Sequence, residues 1–227
     1  MGFLDDNCTF YRMTPELVNQ CEGFVCSKNE DIDEFFHEEY ADYAREHLGE
    51  SYCFVKDDTK EIVCAFTLAC SSINTRPLNN KEKRHLQKKI PHVKQKSQYP
   101  AMLIGQLVVF DKFRAQKDLH IGDELLDFIK AILFKGHDES DYSININFNN
   151  VGCRFLIADA VNDPNGKVIG FYQKNGFNFL FKDEADELRS INKVNKLPFW
   201  KRHLGHIDQE RKKTRLMYFD LLELRPA

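Results

Sequence analysis

The sequence has no run approaching the roughly 18 apolar residues that a membrane-spanning helix needs. Its opening, MGFLDDNCTF, turns acidic at Asp5 and Asp6 and holds no apolar stretch of the secretory kind. These two absences predict a cytoplasmic protein with no membrane association. The Met-Gly start is followed by Phe3, Leu4, Asp5 and Asp6, without the Ser or Thr at the sixth position that myristoylation requires. Cys-x-x-Cys pairs and His/Cys arrays with metal-ligand spacing are also missing, so the seven cysteines, an odd number, read as free thiols and not as a zinc site or a disulfide framework. There is no Gly-x-Gly-x-x-Gly and no Gly-Lys-Ser or Gly-Lys-Thr, which removes the dinucleotide fingerprint and the P-loop. Internal repeats, low-complexity runs and a KH-type glycine loop are absent. The aromatics lie in apolar stripes instead of alternating with Lys and Arg, which argues against a dedicated RNA-binding module of another fold.

What is present is an ordinary globular composition, 42% hydrophobic and 30% charged over 227 residues. That is enough to bury one core, and it predicts a single domain over 1–227 with a polar insertion near 182–213. The net charge of −3 hides an uneven distribution: residues 1–61 carry 16 acidic against 5 basic side chains, and 189–215 carry 9 basic against 2 acidic. In 71–100 Glu82 is the only acid among many Lys and Arg. Such stretches read either as solvated loops or as a docking surface for an anion, RNA or the phosphates of a cofactor.

Along the chain, Ile32, Phe36, Tyr40 and Tyr43 recur at helical spacing over 29–48, behind an acidic first turn. SYCFVKDDTKEIVCAFTLACSSI reads as two strands joined by a polar Asp57-Asp58-Thr59-Lys60 turn, the second strand apolar enough to be central. NNKEKRHLQKKI predicts a short helix inside a long polar connection, and Met102–Phe110 another central strand. Leu125, Ile129, Ile132 and Leu133 mark one face of a helix. GCRFLIADAV, NGKVIGFYQKNG, FNFLF and TRLMYFDLLEL then read as strand, helix, strand and strand. This order predicts a mixed α/β (α+β) fold around one sheet.

Two segments stand out chemically. In DKFRAQKDLHIGDELL the chain passes from strand to helix, where outward-pointing N–H groups bind phosphate and Gly122 allows close approach; Arg114, Gln116 and Lys117 add donors. In VIGFYQKNGFNFL, Gly176 supplies the left-handed residue that ends a helix, while Tyr172 serves as core filler or presents its hydroxyl at a cleft. Glu46, His47, His85 and Asp111 are available by type as a general base, and spacing singles out none of them.

LVVFDKFRAQKDLHIGDELLDFI and FYQKNGF resemble the GCN5-related N-acetyltransferases, over roughly residues 10–181 and the last strand near 214–222. The resemblance implies the acyl-CoA N-acyltransferase fold, with a mixed, mostly antiparallel central sheet flanked by helices, and acetyl-CoA as acyl donor to a primary amine. Leu107, Val108 and Val109 then correspond to the strand whose backbone holds the pantetheine arm. Arg114, Gln116, Lys117, His120, Ile121, Gly122 and Asp123 fall in the pyrophosphate loop and helix start, and Asn162 corresponds to a cofactor-contacting asparagine. Tyr172 matches the tyrosine that protonates the departing thiolate; an ordinary pKa near 10 keeps such a group protonated. QKDLHIG is one residue longer than the family loop and has Asp118 and Leu119 where a middle glycine is common. The acidic-aromatic first helix and the basic 71–100 region are similar to the toxin-type acetyltransferases, which implies tRNA as a partner through 71–100 and 189–215 and leaves a homodimer open. A catalytically inactive member used as a scaffold is the competing expectation.

Overall fold

The computed structural model describes residues 2–88, 90, 96–135, 152–188 and 214–224. Most of the 189–215 basic stretch therefore lies outside the described residues, as does part of 71–100. The chain forms two compact units, one from 1–71, 102–152 and 224–227, the other from 72–101 and 153–223.

The first unit begins with α1 (Phe3–Asn7) and β1 (Cys8–Arg12), followed by α2 (Pro15–Gln20). α3 (Glu30–Glu34) runs through a π-turn over Phe35–Glu39 into α4 (Tyr40–Arg45). β2 (Glu50–Lys56) and β3 (Ile62–Asn74) form the expected antiparallel hairpin, and β1 pairs antiparallel with β2. β4 (Gln98–Val109) runs antiparallel to β3: Phe110 N–H donates to Val63 O at one end and Thr75 N–H to Ser97 O at the other. α6 (Asp111–Arg114), a 3₁₀ turn over Lys117–Leu119 and α7 (Ile121–Lys135) follow.

β2 is buried on both faces over Ser51–Val55, and β3, the strand that reads as central, over Ile62–Leu68. Successive side chains point to opposite faces. Tyr52 and Phe54 join Phe10, Phe66 and Phe128 of α7 in an aromatic stack, with Phe10–Phe128 at 4.6 Å and Phe54–Phe128 at 4.8 Å. Cys53 and Val55 enter a second core with Phe35, Phe36, Tyr40, Val108 and Phe110. Each such side chain withdrawn from water contributes about 1.5–3 kcal/mol. Leu125, Leu126 and Ile129 of α7 are fully buried and Leu133 nearly so, as the periodicity predicts.

α1 is too short to persist alone, and Glu124 holds it. The Glu124 carboxylate accepts the N–H of Phe3 at 2.9 Å and of Leu4 at 2.8 Å, satisfying donors that the first turn leaves open. A Cβ at Gly2 would stand 2.4 Å from the same carboxylate, so a larger residue there would push the Glu124 side chain off these two bonds.

The second unit contains the outer ends of β3 and β4, α5 (Asn80–Gln87), β5 (Phe155–Val161), α8 (Lys167–Lys174), β6 (Asn178–Phe179) and β7 (Thr214–Asp220). β7 pairs antiparallel with both β5 and β6. β3 and β4 run through both units, and the strand order is β1-β2-β3-β4-β5-β7-β6. The predicted FNFLF strand is a ladder of two residues, beyond which Leu180 N–H still donates to Leu216 O while Phe181 O accepts from the Arg215 side chain instead of a β7 N–H. α5 starts with a capping box in which Asn79 accepts from Lys81 and Glu82 while Glu82 accepts from Asn79.

None of the seven cysteines forms a disulfide. Burial pushes the thiols of Cys8 and Cys53 up to about 12 and that of Cys64 well above its usual value, which marks them as packing residues. No helix among the described residues is long and apolar enough to cross a membrane, and no group of three or more His, Cys, Asp or Glu there could hold a metal ion.

Candidate functional site

In the first unit, β4 brings Leu107, Val108 and Val109 to its C-terminal end, with Val108 buried and its two neighbours half-buried. The chain then turns at Phe110. α6 is tied back on itself by Arg114 N–H to Phe110 O at 2.8 Å and Gln116 N–H to Phe113 O at 3.0 Å. Asp111 anchors the turn: its carboxylate accepts the Ser27 N–H at 2.9 Å and the Ser27 hydroxyl, and pairs with Arg114. The Ser27 hydroxyl bond, more than any other contact, holds Asp111 below the usual carboxylate range. Of the four general-base candidates, Asp111 is thus a weakened base, and one Arg114 nitrogen is already engaged.

The longer loop is resolved by the 3₁₀ turn Lys117–Leu119 followed by His120 in the left-handed region, φ 49° and ψ 29°. A residue with a Cβ thus takes a conformation that favours glycine, one position past the Asp118 and Leu119 that stand where a middle glycine was expected. His120 O accepts from Asp123 N–H at 2.9 Å and Glu124 N–H at 3.2 Å, which starts α7. Ile121 and Gly122, the first two helical residues, have N–H groups with no intrahelical acceptor, directed out from a helix of 15 residues. Lys117 and His120 are exposed beside them, and the His120–Asp123 contact is 3.6 Å. A left-handed non-glycine residue costs about 1–2 kcal/mol, so His120→Gly is expected to raise stability by about 0.5–1 kcal/mol once the looser unfolded chain is counted. Urea denaturation checks this; a lowered midpoint would mean that the contact with Asp123 outweighs the relief.

The second unit carries Asn162 and Tyr172. Asn162 is exposed just past β5. The loop after it is set by Asp163, whose carboxylate accepts Val168 N–H at 3.0 Å and Lys167 N–H at 3.2 Å, capping α8. Tyr172 projects from α8 and is 7% exposed, with Phe177 at 5.1 Å and Phe171 at 5.4 Å between ring centroids. Its hydroxyl has no hydrogen-bond partner among the described residues. Burial first, and the charge of Asp159 second, push its pKa well above the usual tyrosine value. The backbone behind it is fixed: Tyr172 O accepts from Asn175 N–H at 3.1 Å and from Phe177 N–H at 3.0 Å, and Gly176 takes φ 82° with the Phe219 ring 3.0 Å from where a Cβ would stand. Tyr172 is therefore a neutral phenol held in one place with its proton available.

The strand order and pairing give the mixed, mostly antiparallel sheet flanked by helices that the acyl-CoA N-acyltransferase fold was expected to show. Among solved structures the chain is similar to a tyrosine-to-phenylalanine mutant of KacT, at 18% identity and TM-score 0.62 over 96% of this chain and 97% of that one. It is similar to AtaTR bound with AcCoA at 18% identity and TM-score 0.59, over 96% of each chain. It is similar to AtaT complexed with acetyl-methionyl-tRNAfMet at 18% identity and TM-score 0.53, over 76% of this chain and 87% of that one. No family model and no curated protein sequence matches it.

Sequence reasoning passed over Tyr218, Phe179 and the buried Arg215–Glu187 pair, all in the second unit. The one visible signal was the Asn79-x-x-Glu82 spacing of the capping box.

Proposed function

We propose that the chain is an N-acetyltransferase that moves the acetyl group of acetyl-CoA directly to a primary amine. The observation that carries this is Tyr172, a buried, neutral phenol with no hydrogen-bond partner among the described residues, at the family's thiolate-protonating position. The amine lone pair attacks the thioester carbonyl carbon and forms the C–N bond, while backbone donors of β4 receive the developing oxyanion. The C–S bond then breaks, and the Tyr172 hydroxyl delivers its proton to the leaving sulfur. The ammonium proton leaves through water, since no described carboxylate or histidine is singled out as a base, and water returns a proton to the Tyr172 phenolate. Ile121 and Gly122 N–H, with Lys117 and His120, receive the pyrophosphate, and Leu107–Val109 the pantetheine arm. Asn162 is the further cofactor contact.

Support comes from the fold shared with AtaTR bound with AcCoA, and from KacT and AtaT, both solved as tyrosine-to-phenylalanine mutants. The reading in which the amine belongs to aminoacyl-tRNA is favoured by the likeness to AtaT complexed with acetyl-methionyl-tRNAfMet and by the cationic face of α5.

Calorimetric titration with acetyl-CoA, with desulfo-CoA as a control for thiol exchange, tests the donor; one-site binding is expected, and an amine screen that includes aminoacyl-tRNA follows. Gly122→Asp sets a carboxylate against the diphosphate, where like charges cost several kcal/mol, so binding is expected to weaken about tenfold or more. Unaltered affinity would remove the loop from the reading. No binding by a folded sample would leave the chain a scaffold of the same fold.

A further inference from the structure

The loop between β4 and α7 is pinned at both ends by carboxylates whose donors come from the N-terminal chain, 84 to 121 residues away in sequence. At its start, Asp111 Oδ2 accepts the N–H of Ser27 at 2.9 Å and the Ser27 hydroxyl. Past its end, the two oxygens of Glu124 take one donor each: Oε1 accepts the Phe3 N–H and Oε2 the Leu4 N–H. All of these residues belong to the first unit.

Glu124 joins α1 to the loop in both directions. Its side chain grips α1, while its backbone N–H donates to His120 O at 3.2 Å, beside the Asp123 N–H at 2.9 Å. Those two bonds hold the left-handed residue that begins α7. A residue with a Cβ in that region persists only where its surroundings hold it. α1 meets the loop a second time through the Phe3 ring, 6.3 Å from that of Phe113, the buried side chain of α6. Its far end is fixed to the sheet, where Asn7 O accepts from Asp57 N–H at 3.0 Å and Cys8 opens β1 opposite Lys56. With Leu4 only 2% exposed between these ends, α1 is a strut from the sheet to the first turn of α7.

A carboxylate in the first turn of a helix is ordinary, and taken alone it repels an incoming diphosphate. A strut has the opposite effect, because it holds the turn from which Ile121 and Gly122 direct their N–H groups. The two roles therefore predict opposite signs when Glu124 is removed. Both of its oxygens are bonded to α1, which turns its charge to positioning. We infer that α1 positions the loop for acetyl-CoA through Glu124, so that docking of α1 and binding of acetyl-CoA favour one another. This rests on the acetyl-transfer reading of the loop, and Glu124 is a positioning residue that acts through His120, Ile121 and Gly122.

Titration calorimetry of the full chain with acetyl-CoA compares wild type with Glu124→Ala, Glu124→Gln and Gly2→Ala. Gly2→Ala removes no donor and no acceptor. Its backbone is extended, φ −119° and ψ 176°, which any residue adopts, and its new Cβ displaces the Glu124 carboxylate from α1. Affinity is expected to fall about fivefold or more in Glu124→Ala and Gly2→Ala, the lower range of coupling between sites, and less in Glu124→Gln, which keeps one acceptor oxygen. Coupling is reciprocal, so saturating acetyl-CoA should slow amide exchange at Phe3 and Leu4 of the wild type by a similar factor. The Val18 N–H of α2, bonded to Thr14 O at 3.0 Å and not tied to α7, should be indifferent to the ligand. A merely structural contact would lower the urea midpoints of the variants and move neither readout. Affinity equal to or tighter than wild type in both Glu124→Ala and Gly2→Ala, or exchange at Phe3 and Leu4 that ignores acetyl-CoA, overturns the inference. The exchange measurement needs no variant, so it decides even where Glu124→Ala does not fold. A wild-type chain that binds no acetyl-CoA removes the acetyl-transfer reading and this coupling together, whereas binding without coupling removes the coupling alone.

Discussion

Tyr172→Phe is expected to lower kcat by about 10²-fold or more, the range that a positioned proton donor contributes, while leaving acetyl-CoA affinity nearly unchanged. The substitution removes one oxygen from a side chain whose ring is packed between Phe171 and Phe177, so the α8 backbone and its cap at Gly176 have no reason to move. Single-turnover and steady-state rates on the same amine read the effect; an unchanged chemical step would leave Tyr172 with packing alone. The pH dependence separates the two roles further. Burial raises the Tyr172 pKa, so the wild-type rate should show no alkaline fall where an ordinary tyrosine would lose its proton, near pH 10. Stability behaves differently. The folded pKa of Tyr172, and those of Tyr52 and Tyr218 at about 12, lie above the unfolded value. Their contribution is fully present below about pH 10 and is lost as pH rises from there through the folded values, because the unfolded chain releases these protons first. Alkaline unfolding with no fall in rate before its onset is the combined expectation.

The elements that local pattern controls were legible, and those that distant partners control were not. α7 announces itself through Leu125, Ile129 and Leu133, and the β2–β3 hairpin through the Asp57–Lys60 turn. Phe35 and Phe36 are adjacent and 3% and 0% exposed, and the widened turn that carries them, in which Tyr40 N–H reaches back to Phe35 O, has no signature in the helical spacing. α1 carries no amphipathic signal, because its hold is a carboxylate 120 residues away. In the candidate loop, the missing middle glycine at Asp118 and Leu119 was visible, but the left-handed His120 that follows them was not, since spacing says nothing of φ. Tyr172 could be singled out from its neighbours in sequence, whereas the burial that keeps it neutral depends on packing. Asp111 was a base by type only; Ser27, 84 residues earlier, makes it a turn anchor.

Glu187→Ala is expected to destabilise the protein by about 3–5 kcal/mol, the cost of leaving one partner of a buried ion pair unpaired. Glu187 and Arg215 have side chains only 10% and 11% exposed. Glu187 Oε2 receives the Arg215 Nε–H at 2.7 Å, and Oε1 receives the Leu216 N–H at 2.8 Å, so alanine leaves a guanidinium and a backbone donor short of acceptors together. Glu187→Gln keeps one acceptor oxygen and is expected to cost less. Urea midpoints order the series, and equal midpoints for Ala and wild type would show that water reaches Arg215 freely. A double replacement, Glu187→Leu with Arg215→Met, removes both charges and should recover much of the loss, because paired burial gains little over apolar packing. The pair then contributes position more than stability. It fixes helical residues 184–188 to β7 and sets the guanidinium against Phe179.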